Sequence, residues 1–140
     1  MAEEKCIFCL ISGGDIPSAK VYEDENVFAF LDLSPVQPGH ALIITRQHYK
    51  NLLEFPCELA PAVFSALKKV GSAVMKATGA TGFNVMQNNG LSAGQTMFHI
   101  HWHIIPRFDG DGLGMWEQGS YPDDDAMRNL ADKIASYIEK

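Results

Sequence analysis

Residues 94–107 read Gly94-Gln95-Thr96-Met97-Phe98-His99-Ile100-His101-Trp102-His103-Ile104-Ile105-Pro106-Arg107. From Phe98 to Ile104 apolar residues alternate with histidines, the period-two pattern of a β-strand with two unlike faces. His99, His101 and His103 share one face. Phe98, Ile100, Trp102 and Ile104 share the other, which suits a core. Neighbouring histidines would stand roughly 6.5–7 Å apart, at ~3.3 Å per residue. A plain solvated face would use Lys, Thr or Glu, not three of the chain's five histidines. Spacing alone leaves two chemistries open. One is a catalytic metal site, because strand histidines two apart can chelate an ion. The other is an acid–base or nucleophilic cluster.

Upstream of the histidines lie Asn88-Asn89-Gly90 and Gly94-Gln95-Thr96. Glycine permits close backbone approach, and successive N–H groups with a hydroxyl and an amide can cradle an anion. The combination points to phosphate chemistry. A neutral imidazole is a good nucleophile near pH 7, its ordinary pKa being about 6.5. The expected arrangement has His101 Nδ1–H held by a backbone carbonyl, so that Nε2 attacks phosphorus. Thr96, Asn88, His103 and loop N–H groups would then meet the charge on the oxygens.

Four further strand-like runs precede this one, at Lys20–Glu23, Val27–Leu31, Ala41–Thr45 and Phe83–Gln87, with Phe98–Ile105 as the fifth. In Cys57–Thr78 the residues Leu59, Val63, Leu67, Val70 and Val74 recur at helical spacing, and Gly79 is the expected stop. A second helix follows Asp123–Asp125, with Met127, Leu130, Ile134 and Ile138 on one face; aspartates suit a helix start. These runs predict one small α+β domain with a largely antiparallel sheet, without repeats or an interdomain linker. The 140 residues, 46% hydrophobic and 20% charged, fit a single globular core. A net charge of −6 disfavours a nucleic-acid polymer as partner but not a small nucleotide. No apolar run approaches the ~18–20 residues of a membrane span, and Met1–Lys5 lacks the pattern of a secretory signal. The expected compartment is the cytoplasm, with no membrane partner.

The cysteines are Cys6, Cys9 and Cys57, an odd count that argues against a disulfide framework. Cys57, at a helix start, is expected to be packed. Cys6-x-x-Cys9 is half of a tetrahedral zinc site or else a redox pair.

The run His99-Ile100-His101-Trp102-His103-Ile104-Ile105 fills every slot of His-φ-His-φ-His-φ-φ, with φ apolar, and so resembles the histidine-triad (HIT) family. Gly94-Gln95-Thr96 matches too, as do Phe28-Ala29-Phe30-Leu31-Asp32-Leu33-Ser34-Pro35, Pro38-Gly39-His40, and Ile7-Phe8-Cys9 with Ile16-Pro17-Ser18. The likeness covers roughly residues 5–107 and is strongest to small bacterial-type members of the nucleoside phosphoramidase branch. It implies a single HIT domain over residues 1–140, with a core at 5–107 and a helical extension at 108–140. The implied fold is an antiparallel five-stranded sheet with two helices, continued across a homodimer.

The resemblance also implies roles. His101 matches the nucleophile that becomes a nucleotidyl-histidine, His103 a contact to the α-phosphate, and His40 a histidine that supports the triad. Asn88, Gly94, Thr96 and the Met97 backbone match phosphate contacts, with Gln95 on the leaving-group side. Asp32 matches the carboxylate that holds the ribose, and Ile7, Phe8, Ile11, Phe30, Leu33 and Leu42 fall where the family lines its purine pocket. Relatives with an N-terminal Cys-x-x-Cys imply a structural zinc on Cys6, Cys9, His48 and His99, with no metal required for catalysis. The implied activity is hydrolysis or transfer at the α-phosphate of purine nucleoside phosphoramidates. The alternatives are a dinucleoside polyphosphate hydrolase and a non-catalytic purine-nucleotide sensor. After Arg107 the sequence departs from the family: residues 108–116 are glycine-rich and acidic, and Trp116 is expected to be a packed aromatic.

Overall fold

The structure, a computed structural model, describes residues 6–139. Five strands form one antiparallel sheet in the order β1-β2-β3-β5-β4. They are β1 (Lys20–Glu23), β2 (Val27–Leu31), β3 (Ala41–Thr45), β4 (Gly82–Gln87) and β5 (His101–Arg107). Around them lie α1 (Ile7–Ser12), α2 (Ala60–Thr78) and α3 (Asp124–Ser136).

Alternation divides the sheet into two buried faces. Val27 and Ala29 of β2, Ala41 and Ile43 of β3, and Trp102 and Ile104 of β5 meet Val63, Leu67, Val70 and Val74 of α2 in the larger core. Phe28, Phe30, Leu42 and Ile44 point the other way, onto Phe8 and Ile11 of α1. Helix α2 has the predicted apolar stripe and ends at Gly79, whose φ of +77° is a left-handed cap open to glycine at little cost. Its first turn, Cys57–Leu59, is a tighter 3-10 turn in which Cys57 is exposed, not packed.

Three elements differ from the sequence expectation. Helix α1 is a third α-helix; six residues give too little periodicity to announce a helix. Strand β5 begins at His101, so residues 97–99 form a bend in which Phe98 is 42% exposed, outside the core. The strand also runs through Pro106 to Arg107. There β3 has already ended, its last pair being Ala41↔Ile104, so the missing proline N–H leaves no gap in the ladder on that side. Helix α3 has the expected N-cap, Asp123 accepting from the Ala126 N–H at 2.7 Å, but its apolar residues Met127, Leu130 and Ile134 are all exposed. Ile138 lies beyond its end.

Candidate functional site

The ladder register places the site in rows across one face of the sheet. One row runs Phe30–Leu42–His103–Met86 over β2, β3, β5 and β4; the next runs Phe28–Ile44–His101. Apolar residues on β2 and β3, roofed by Phe8 and Ile11, thus stand on one flank of the histidines. On the other flank, past Met86, is a cleft of about 610 Å³ lined by Val36, Asn84, Ile105, Arg107, Met115 and Trp116, among others.

Hydrogen bonds assign the ring tautomers, since a backbone carbonyl only accepts and a backbone N–H only donates. His40 Nδ1 accepts from the Val36 N–H at 3.1 Å, so its proton is on Nε2. That Nε2–H points at His103 Nδ1, 2.9 Å away, which puts the His103 proton on Nε2. His101 Nδ1 is 2.8 Å from the His99 carbonyl and must donate to it, so Nε2 keeps the lone pair. This is the arrangement expected of a histidine nucleophile. These tautomers exist only in neutral rings, and burial keeps the rings neutral. It lowers the pKa values of His40 and His101 from 6.5, Asp32 opposing in both cases. It pulls His103 to about 4, assisted by the charges that His101 and His40 would carry.

Asp32 closes the row of polar groups. Its Oδ1 accepts from the Ser34 N–H at 2.9 Å, and its Oδ2 is 3.7 Å from His40 Nε2. One ligand atom from each of Asp32, His40 and His103 also lies within 4.8 Å of the others, an approach that the His40–His103 hydrogen bond and the Asp32–His40 contact account for.

The loop before β5 is held open by two glycines in the positive-φ region, Gly90 and Gly94, on either side of the 3-10 turn Leu91–Ala93. The Asn88 amide nitrogen lies over Gly94, where a Cβ would sit 3.5 Å from it. Thr96 is exposed and Met97 half-buried beside it. Gln95 does not stand open on the leaving-group side. It is 1% exposed, and its amide accepts from the Gly90 N–H at 2.9 Å while donating to Lys50 O at 2.7 Å and Met97 O at 3.0 Å. It is the brace that shapes the loop. Of the expected pocket residues, Phe8, Ile11, Phe30 and Leu42 come together. Ile7 is half exposed on the outer side of α1, and Leu33 is 98% exposed, away from that cluster. Trp116 is 79% exposed and not packed.

A second cluster lies directly behind His101. Cys6 Sγ is 3.3 Å from His99 Nδ1, and Cys9 Sγ is 3.5 Å from both His99 Nδ1 and His48 Nδ1. The four ligand atoms all lie within 4.8 Å of one another. Bonds of ~2.3 Å to sulfur and ~2.0–2.1 Å to nitrogen at a tetrahedral angle set sulfur and nitrogen about 3.6 Å apart. The donor set and spacings therefore fit one zinc ion. The support a ligating histidine needs is also present: His99 donates Nε2–H to Thr45 O at 2.7 Å, which frees Nδ1 for a metal.

What sequence reasoning missed here is mainly backbone: the Val36 N–H and the Thr45 carbonyl, each of which fixes a ring, while the carbonyl expected on His101 proves to be that of His99. No side-chain pattern announces them.

The HIT domain family matches residues 13–110. The chain is 48% identical to Protein hit of Bacillus subtilis, over 96% of this chain and 95% of that one. It is 40% identical to an adenosine 5'-monophosphoramidase of Schizosaccharomyces pombe, over 96% and 98%. Among solved structures it is similar to a Streptococcus mutans protein, with a TM-score of 0.92 and 43% identity, covering 99% of this chain and 88% of that one. It is also similar to a zinc-bound histidine triad family protein from Mycobacterium smegmatis, with a TM-score of 0.75 and 33% identity, covering 96% and 98%.

Proposed function

The chain belongs to the HIT family, and from that premise we propose that it is a nucleotide hydrolase acting on purine nucleoside phosphoramidates through a nucleotidyl-His101 intermediate. The observation that carries the reading is the run of tautomers: a lone pair on His101 Nε2 next to a proton on His103 Nε2. The phosphoramidase name of the fission yeast relative supports the substrate class.

In the proposed reaction His101 Nε2 forms a bond to the α-phosphorus as the phosphorus–amine bond breaks. The departing amine takes up a proton from solvent, while the Nε2–H of His103 donates a hydrogen bond to a phosphate oxygen. Water then cleaves the phosphorus–His101 bond, which releases the nucleoside monophosphate, returns neutral His101 and gives one proton to solvent. Asn88, Thr96 and the N–H groups of Gly94 and Met97 would meet the phosphate oxygens. Asp32 would hold the ribose, and Phe8, Ile11, Phe30 and Leu42 the purine. The cleft past Met86 gives the leaving group room.

Zinc on Cys6, Cys9, His48 and His99 would tie α1, the loop after β3 and the residues before β5 together. Its contribution is to folding and not to bond chemistry. The zinc-bound mycobacterial neighbour supports this. We also propose that the chain works as a homodimer in the cytoplasm.

Loss of a covalent nucleophile removes several kcal/mol of transition-state stabilisation, on the order of 10³-fold or more in rate. His101→Asn is therefore expected to abolish turnover of adenosine phosphoramidate while still binding AMP. Acid-quenched wild-type protein should carry a nucleotidyl adduct that mass spectrometry maps to His101. Near-normal turnover by His101→Asn, or a label on another residue, would overturn the assignment. Turnover confined to diadenosine polyphosphates would change the substrate class. Binding without any turnover would make the protein a nucleotide sensor.

A further inference from the structure

We infer that His99 is a positioning residue for the nucleophile, so that the Cys6–Cys9–His48–His99 cluster sets the tautomer and orientation of His101 as well as holding the fold together. The inference rests on His101 being the nucleophile, as proposed above. Two groups of the same residue carry it. The His99 ring offers Nδ1 to the two sulfurs and is locked from the other side by Thr45 O. The His99 carbonyl receives His101 Nδ1–H. That carbonyl is available because β5 starts only at His101: the β3–β5 ladder ends at the pair Ile44↔His101, and His99 lies in the bend beyond it. A carbonyl without a ladder partner has its direction set by whatever holds its residue, and here that is the cluster.

The surrounding contacts point the same way. Ile100, between the two histidines, donates its N–H to Tyr49 O at 2.7 Å, and Tyr49 follows the cluster residue His48. Helix α1 carries both cysteines within or next to its first turn. Its Phe8 ring packs edge-on against His99 at 5.8 Å and His101 at 5.1 Å. A six-residue helix does not hold itself together in water, so α1 is held by the cluster and by the packing of Phe8 and Ile11 onto β2 and β3, and release of the cluster removes one of these two restraints on Phe8. Release would let His101 exchange to the Nε2–H tautomer, which has no lone pair to aim at phosphorus.

The test uses full-length protein labelled with 15N in the histidine rings, loaded with zinc and observed at pH 8. His101 should show a single Nδ1–H tautomer. Stepwise chelation should convert it to a mixture before global unfolding. It should also lower kcat on the order of 10²-fold, the scale of a misplaced reacting group, with KM for the nucleotide changed far less. His99→Cys keeps four donors and should retain zinc. Its sulfur is one bond from Cβ where Nδ1 is two, so the backbone must move toward the metal. The same tautomer mixture and kcat loss are expected in that zinc-loaded variant, with AMP affinity preserved. A His101 tautomer unchanged by chelation and by His99→Cys would overturn the inference. So would unfolding of both before His101 responds, which would leave the cluster with stability alone. The ring spectra and AMP binding need no turnover, so failure to cleave phosphoramidates would count against the proposed function and not against this one.

Discussion

A histidine is acceptor, donor or cation according to what its second nitrogen touches, and this site uses that property three times. The Val36 N–H, a single backbone donor, orders the protons of both His40 and His103. The arrangement has a consequence in acid. His103 ionises at about 4 in the folded chain, against an ordinary 6.5. Between those values the unfolded chain binds more protons, so the stability that His103 contributes above pH 6.5 is lost as the pH falls toward 4. Thermal melts from pH 7.5 to 4.5 should therefore show a falling Tm that His103→Asn partly flattens; an equal fall in both proteins would refute the assignment to His103. The three triad positions were legible in the sequence because period-two spacing and residue type both marked them. The tautomers were only partly legible. A carbonyl partner for His101 was expected on chemical grounds, but which carbonyl, and the orienting role of Val36, depend on turns that no residue type specifies.

Among the elements, α2 and β4 meet where Gly71 faces Phe83. A Cβ on Gly71 would lie 2.6–2.7 Å from the Phe83 ring. In an open helix Gly→Ala gains up to ~1 kcal/mol; here overpacking at ~1–3 kcal/mol opposes it and should prevail. Gly71→Ala is thus expected to lower Tm, and Gly71→Ala with Phe83→Leu to recover most of the loss. A rise in Tm for the single variant would show that the ring gives way freely. The stripe on α2 was readable because its 19 residues repeat the pattern over several turns. Helix α1 was not, although Ile7, Phe8 and Ile11 were singled out for a pocket: its residues carry a binding pattern before they carry a helical one. The start of β5 was misplaced because alternation continues through Phe98 and Ile100, while the His99 ring is turned toward the two cysteines and Ile100 bonds to Tyr49 instead of to a strand.

The whole molecule leaves apolar surface in water. Phe64 on α2 is 64% exposed and Val85 on the edge strand β4 is 47% exposed, and the apolar side of α3 is bare as well. An open edge strand beside such a patch is the usual ground for pairing two copies. Light scattering at micromolar concentration should give the mass of a dimer, and Val85→Lys should shift it toward the monomer. A monomeric wild-type mass would reject the homodimer. That the chain is a HIT domain was legible from residues 7–107. What the bare faces meet was not, because a sequence marks a residue as apolar without naming its neighbour. Among the described residues no helix is long and apolar enough to cross a membrane.

The segment after β5 begins in a knot around one carboxylate. Asp111 takes the Arg107 Nε at 2.8 Å and Nη2 at 3.1 Å, along with the Phe108 and Leu113 N–H groups at 3.0 Å each. Arg107, foremost among these, holds the Asp111 carboxyl well below the usual range. The turn is thus closed upon itself within seven residues, and it is anchored to the sheet by Arg107, whose Nη1 donates to Asn84 Oδ1 at 2.8 Å. In evolutionary terms that makes Arg107–Leu113 a grafting point. Whatever is spliced on after it supplies Met115 and Trp116 to the wall of the cleft past Met86, so exchanging the tail would leave the histidines in place and reshape the room beside them.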